Sequence, residues 1–214
     1  MKNYVIGLDY GTNSCRAVLM EIGSPDELAS SVFPYPSGEL GILVDGDDPH
    51  VARQHPQDYI DGMTTNIKNV LKDASSDVPG FSADQVKSLG FATTGSTVIP
   101  VNKENQPLAL TAEFKNNNNA MAWLWKDHTS SKEAAQITSL AADIRPEYLA
   151  RCGGTYSSEW FWAKVLHLKN IDSEVFNASY SYVELCDFLP AILTGATNPT
   201  KIARSICAAG HKAM

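Results

Sequence analysis

Near the N-terminus two apolar runs flank the stretch GLDYGTNSCRAV, which gathers Asp9, Gly11, Thr12, Asn13, Ser14 and Arg16 into a short span. A phosphate group needs several hydrogen-bond donors converging without bulk in the way, and a glycine-containing turn offers backbone N–H groups for that purpose. The side chains of Thr12, Asn13 and Ser14 add donors. Arg16 brings a permanent positive charge beside the turn, suited to a transferring phosphoryl group. Asp9, at the end of the first run, suits Mg²⁺ held through water, because magnesium keeps much of its hydration shell. These residue types in this order fit phosphoryl transfer. They also make an ordinary hairpin, since Asp, Gly, Thr and Ser are common turn residues and an exposed strand arginine needs no ligand. No helix follows the turn, so it is neither a Walker loop nor a dinucleotide fingerprint. On the residues alone both readings stand.

The elements that must position these groups follow from periodicity. Residues 2–9, 16–22 and 28–35 read as three strands of an antiparallel meander. Residues 36–56, rich in Gly, Asp, Pro and His, form a connection long enough to be a functional or mobile loop. Pro56 suits the first turn of a helix to about residue 74, in which Tyr59, Ile60, Met63, Ile67, Val70 and Leu71 recur at helical spacing. Residues 86–93 and 97–102 are β-rich. Ser130 and Glu133 have capping-box spacing for a helix to about residue 142, and further helices are expected over 147–152, 158–168 and 183–193, the last ended by Gly195. Strands, a helix, strands and then helices make an α/β or α+β domain.

Composition narrows the partners. The 214 residues are 43% hydrophobic, enough for a sizeable core, and the net charge of −7 gives no basic field for nucleic acid or anionic lipid. No apolar run is long enough to span a bilayer and no signal-peptide pattern opens the chain, so a cytoplasmic location is expected. Cys15, Cys152, Cys186 and Cys207 are scattered, which points to reduced thiols rather than zinc or disulfides. His50, His55, His167 and His211 read as surface or capping residues. The closing ICAAGHKAM has no capped helix or polar tail and reads as a domain cut from something longer.

The strand, small-residue turn and antiparallel strand resemble the opening of the actin-like ATPase superfamily, and GLDYGTNSCRAVLME resembles the phosphate loop of the FGGY carbohydrate kinase family. Six later segments, HPQDYIDGM, TTGSTVIPVN, WLWKDHT, GGTYSSEWFWAKVLHL, VELCDFLPAILTG and CAAGHK, resemble in order those of the family's bacterial L-ribulokinases. The resemblance implies an α/β fold of the ribonuclease H-like (actin-like ATPase) type. Its mixed five-stranded sheet would have three antiparallel N-terminal strands and flanking helices. Residues 1–214 would be the N-terminal, sugar-binding lobe, truncated, with the adenine-binding lobe absent and the general-base aspartate after Met214.

The implied reaction is ATP-dependent phosphorylation of a ketopentose, L-ribulose to L-ribulose 5-phosphate, as in arabinose catabolism. A homo-oligomer is compatible with this reading. In residue terms the resemblance assigns Gly11, Thr12, Asn13, Ser14 and Arg16 to the ATP phosphates, with Arg16 stabilising transition-state charge, and Asp9 to water-held Mg²⁺. It assigns Thr94, Gly95, Ser96, Trp125, Lys126, Asp127, Tyr156 and Lys212 to the sugar. Ala92 stands where relatives often carry a polar residue, His128 where many carry arginine, and the 94–96 loop lacks the Arg-Glu pair of glycerol kinases. Other readings are a kinase of another pentulose or polyol, such as xylulose or ribitol, a non-catalytic sugar- or nucleotide-binding module, and a purely structural fragment.

Overall fold

In chain order the computed structural model, which describes residues 2–211, contains β1 (Tyr4–Tyr10), β2 (Ser14–Glu21), β3 (Glu27–Pro34), β4 (Arg53–Gln54), α1 (Pro56–Asp77), β5 (Val86–Thr93), β6 (Val98–Val101) and β7 (Ala122–Trp123). There follow α2 (Ser131–Ile144), α3 (Pro146–Arg151), α4 (Phe161–Ile171), α5 (Ser173–Ala178), β8 (Ser181–Glu184), α6 (Leu185–Leu193) and α7 (Ile206–His211). The chain divides into two compact units, Met1–Gly41 with Gln57–Thr93, and Ile42–Pro56 with Thr94–Met214.

The first unit is built on a mixed sheet in the order β3-β2-β1-β5. β1, β2 and β3 pair antiparallel as the meander predicts, and β5, reached through α1, lies parallel to β1. Strict alternation along β1 buries Tyr4, Ile6, Leu8 and Tyr10 and exposes Gly7 and Asp9; β2 likewise buries Cys15, Ala17 and Leu19. α1 covers that buried face with Tyr59, Met63, Asn66, Val70 and Ala74, spaced three and four apart. Asn66 Nδ2 donates to the Cys15 carbonyl at 3.0 Å, and the Tyr10 hydroxyl donates to the Tyr59 carbonyl at 3.2 Å. The approach is close enough that a Cβ on Gly62 would overlap Cys15 Sγ and meet Phe33 at 3.0 Å, so glycine is required there. Burial pushes the Cys15 thiol up to about 11, in keeping with a protonated core thiol.

The second unit carries a separate sheet of short strands in the order β4-β7-β6-β8, all antiparallel. Val98, Leu108, Phe114, Met121, Trp123, Phe161, Leu168 and Val175 form its main core. This second sheet corrects the expected five-stranded one: the run at 97–102 becomes β6, whose four residues are all buried and pair with β7 and β8, leaving four strands in the sheet of the meander.

Three local expectations also change. Ser181–Glu184 is a strand paired with β6, so the helix expected over 183–193 begins only at Leu185. The capping box at Ser130 and Glu133 does not form, because Ser130 Oγ donates to the Ser158 carbonyl while Glu133 accepts from His167 and Asn170. The helix of residues 158–168 begins at Phe161 and runs to Ile171. Gly195, at φ +67°, follows the last turn of α6 as expected.

Candidate functional site

In the first unit the register of β1 and β2 sets Asp9 directly opposite Arg16. Both point away from the α1-covered face, beside the exposed Gly7, Gly90 and Ala92. Arg16 Nε lies 3.6 Å from Asp9 Oδ2, and each side chain is a little over half exposed, so the pair is available to a ligand. The turn between them is tight: the Gly11 amide donates to the Ser14 carbonyl at 3.0 Å and Asn13 Nδ2 donates to the Leu40 carbonyl at 2.7 Å. Two of the donors assigned to phosphate therefore hold the turn itself. Among the described residues no three His, Cys, Asp or Glu side chains cluster as metal ligands. An accessible carboxylate such as Asp9 nevertheless fits Mg²⁺ held through water with substrate phosphates completing its shell.

In the second unit the residues assigned to sugar sort by depth. Gly95 is exposed, and Thr94, Trp125 and Lys126 are half-buried. Ser96 is fully buried and its hydroxyl donates to Glu184 Oε1, so the hydroxyl that the sequence reading offers to a sugar is engaged by the protein's own carboxylate. Asp127 is also fully buried. Its Oδ2 accepts from the Ala52 amide at 2.7 Å and pairs with Arg53 Nη1, and its Oδ1 accepts from Thr129 Oγ1 at 2.6 Å. Arg53, itself 1% exposed, stacks over the Trp123 ring with its guanidinium carbon 3.3 Å from the centroid. Burial pulls that guanidinium down to about 9, with Asp48 acting in the opposite direction. Tyr156 is buried among Ala134 and Ala163, where its hydroxyl accepts from the Trp162 amide at 3.2 Å. Trp125 packs on Ile42, Ala52 and Leu124. Lys212 lies outside the described residues.

Sequence reasoning missed the charges beneath this surface. Lys164, 1% exposed on α4, donates to three main-chain carbonyls, and Glu184, 1% exposed, receives Ser96 and Thr97. The one available signal was a single lysine inside the apolar run FWAKVL. His167, expected at the surface or in a cap, is instead half-buried, its Nδ1 2.9 Å from Glu133 Oε2 and its ring edge-on to Trp123 at 5.9 Å.

Glu133 makes a pH-dependent contribution. Burial alone would raise its pKa, but hydrogen bonds from Asn170 and its backbone, together with His167, outweigh burial and hold the carboxyl below its usual 4.5. A group with a depressed folded-state value contributes stability above its unfolded value and loses it as pH falls through the folded one. Glu133→Gln is therefore expected to shrink the drop in urea midpoint between pH 7 and pH 3. Equal drops in wild type and variant would show that Glu133 does not contribute.

A family model described as the FGGY family of carbohydrate kinases, N-terminal domain, matches residues 4–209. The chain belongs to the FGGY carbohydrate kinases. This FGGY domain is 44% identical over 214 residues to a protein of Vibrio parahaemolyticus serotype O3:K6 named Ribulokinase, covering all of this chain and 37% of that protein. It is 36% identical over 218 residues to a Ribulokinase of Shouchella clausii, again covering 100% of this chain and 37% of the relative. The chain thus spans little more than a third of the length of these relatives.

Among solved structures, a xylulose kinase from Bifidobacterium adolescentis superposes with a TM-score of 0.66 at 14% identity, covering 99% of this chain and 39% of that one. A crystal structure described as a xyloylose kinase from Brucella ovis gives 0.66 at 17%, covering 88% and 34%. At such identities the likeness establishes the FGGY fold, an actin-like ATPase fold, and bears out the ribonuclease H-like reading apart from the strand count. No helix among the described residues is long and apolar enough to cross a membrane.

Proposed function

We propose that the whole protein transfers the γ-phosphate of ATP to the terminal hydroxyl of a ketopentose, with L-ribulose as substrate and L-ribulose 5-phosphate as product. The observation that carries this reading is the 44% identity, along all 214 residues, to a protein named Ribulokinase. In this reading the turn from Gly11 to Ser14 faces the ATP phosphates, Asp9 holds Mg²⁺ through water, and Arg16 offsets charge on the transferring oxygens. The attacking hydroxyl gives its proton to an aspartate further along the whole protein.

Thr94, Gly95, Trp125 and Lys126 are the accessible members of the proposed sugar wall, to which the family resemblance adds Lys212; Ser96, Asp127 and Tyr156 act from behind that surface. The 94–96 loop carries no Arg-Glu pair, in keeping with a pentulose rather than glycerol. The test is ADP release by the whole protein with L-ribulose, D-xylulose, ribitol and glycerol in turn. The expected result is the highest kcat/KM with L-ribulose. A higher value with xylulose or ribitol would move the substrate, and no turnover with any of the four would sink the kinase reading.

A further inference from the structure

The functional reading gives the sugar two stretches of the second unit, Thr94–Ser96 and Trp125–Asp127, and one buried charge holds both the first of them and the main chain at Trp123 and Leu124, which leads directly into the second. Lys164 Nζ donates to the Leu124 carbonyl at 2.7 Å and the Ser96 carbonyl at 3.0 Å, with the Trp123 carbonyl at 3.5 Å. An ammonium has three N–H donors, and here three carbonyls converge on it. Its side of the loop is matched by Glu184, at the end of β8. Glu184 Oε2 accepts from the Thr97 amide at 2.9 Å and Oε1 from the Ser96 hydroxyl. Ser96 is therefore gripped twice, through its carbonyl by a cation and through its hydroxyl by an anion, and is itself fully buried.

We propose that Lys164 and Glu184 are positioning residues for sugar recognition: Lys164 pins the 94–96 loop to the 123–125 segment, and Glu184 fixes the rotation of the loop so that Thr94 and Gly95 present toward the sugar. The proposal rests on the reading that these two stretches face a ketopentose. Its physical basis is that charge-assisted hydrogen bonds to main-chain atoms set backbone position directly, and small misplacements of a binding wall weaken recognition steeply. Neither side chain reaches the surface, so neither is a catalytic residue. A lysine suits the post better than an arginine, because a compact ammonium can receive three converging carbonyls where a planar fork cannot.

The test uses the whole protein with Lys164→Met, which keeps most of the buried stem and removes the charge, and Glu184→Gln. Steady-state constants are measured for L-ribulose at saturating ATP and for ATP at saturating sugar, with circular dichroism confirming a folded protein at the assay temperature. The expected result is a rise of about tenfold in the sugar KM for Lys164→Met, a smaller rise for Glu184→Gln, and an ATP KM within about twofold of wild type. A folded Lys164→Met with an unchanged sugar KM overturns the proposal and leaves the lysine as a purely structural tie. If Lys164→Met does not fold, Glu184→Gln carries the test by the same criterion. A wild type that neither binds nor phosphorylates any ketopentose overturns the functional reading, and this proposal with it; a wild type that does so isolates the fate of the two positioning residues.

Discussion

Arg53→Met is expected to lower the unfolding free energy by about 3–5 kcal/mol. The Arg53 and Asp127 side chains are 2% and 0% exposed, so deleting one charge leaves the other buried without its counter-ion. Asp127 would keep the Ala52 amide and the Thr129 hydroxyl as donors, which softens the loss without neutralising the charge. The stack on Trp123 would go as well. Burial pulls Arg53 down to about 9, in keeping with a cation held away from water. Asp127→Asn should be destabilising for the mirror-image reason. The double variant Arg53→Met/Asp127→Asn should lose well under the sum of the two single losses, since neither charge is then stranded. Urea unfolding of the four proteins measures this. Strictly additive losses, or a loss under about 1 kcal/mol for Arg53→Met, would show that the pair is solvated rather than buried.

That pair also marks where sequence reading stops. The meander was legible because half-buried strands alternate, and α1 because Pro56 and the spacing of Tyr59, Met63 and Val70 set a start and a face. Each of these is a local signal. The misplaced features all depend on a distant partner. Val98–Val101 reads as a strand by composition, but nothing in its own residues says that it pairs with β8 instead of extending the first sheet. Val183 belongs to a strand for the same reason. Ser130 and Glu133 have the right spacing for a reciprocal cap, yet Ser158, His167 and Asn170 offer better-placed partners from elsewhere in the unit.

Site residues divide in the same way. Asp9 and Arg16, both proposed for phosphoryl transfer, are set opposite each other by the hairpin, which brings neighbours in sequence together. Asp127, by contrast, looks like a sugar ligand in WLWKDHT, and its engagement by Arg53 cannot be seen without the fold. Arg53, Lys164 and Glu184 are ordinary charged residues in the sequence and become exceptional only through burial, which depends on every element packed around them.

The second large effect is catalytic. Arg16→Ala is expected to lower kcat of the whole protein by about 100-fold or more with little change in stability or in the sugar KM. Stability should hold because the side chain is more than half exposed and its ion pair with Asp9 is solvated. The rate should fall because phosphoryl transfer depends mainly on alignment and charge neutralisation, and Arg16 is the cation that β2 presents next to the turn proposed to hold the phosphates. Arg16→Lys should fall between the two, keeping the charge but not the planar fork. Asp9→Asn separates the metal from the arginine: it should raise the Mg²⁺ concentration needed for half-maximal rate, whereas Arg16→Ala should leave that concentration nearly unchanged. Were Arg16→Ala to turn over at the wild-type rate, the segment from Gly11 to Arg16 would be a hairpin and no more, and the phosphate would have to be held elsewhere.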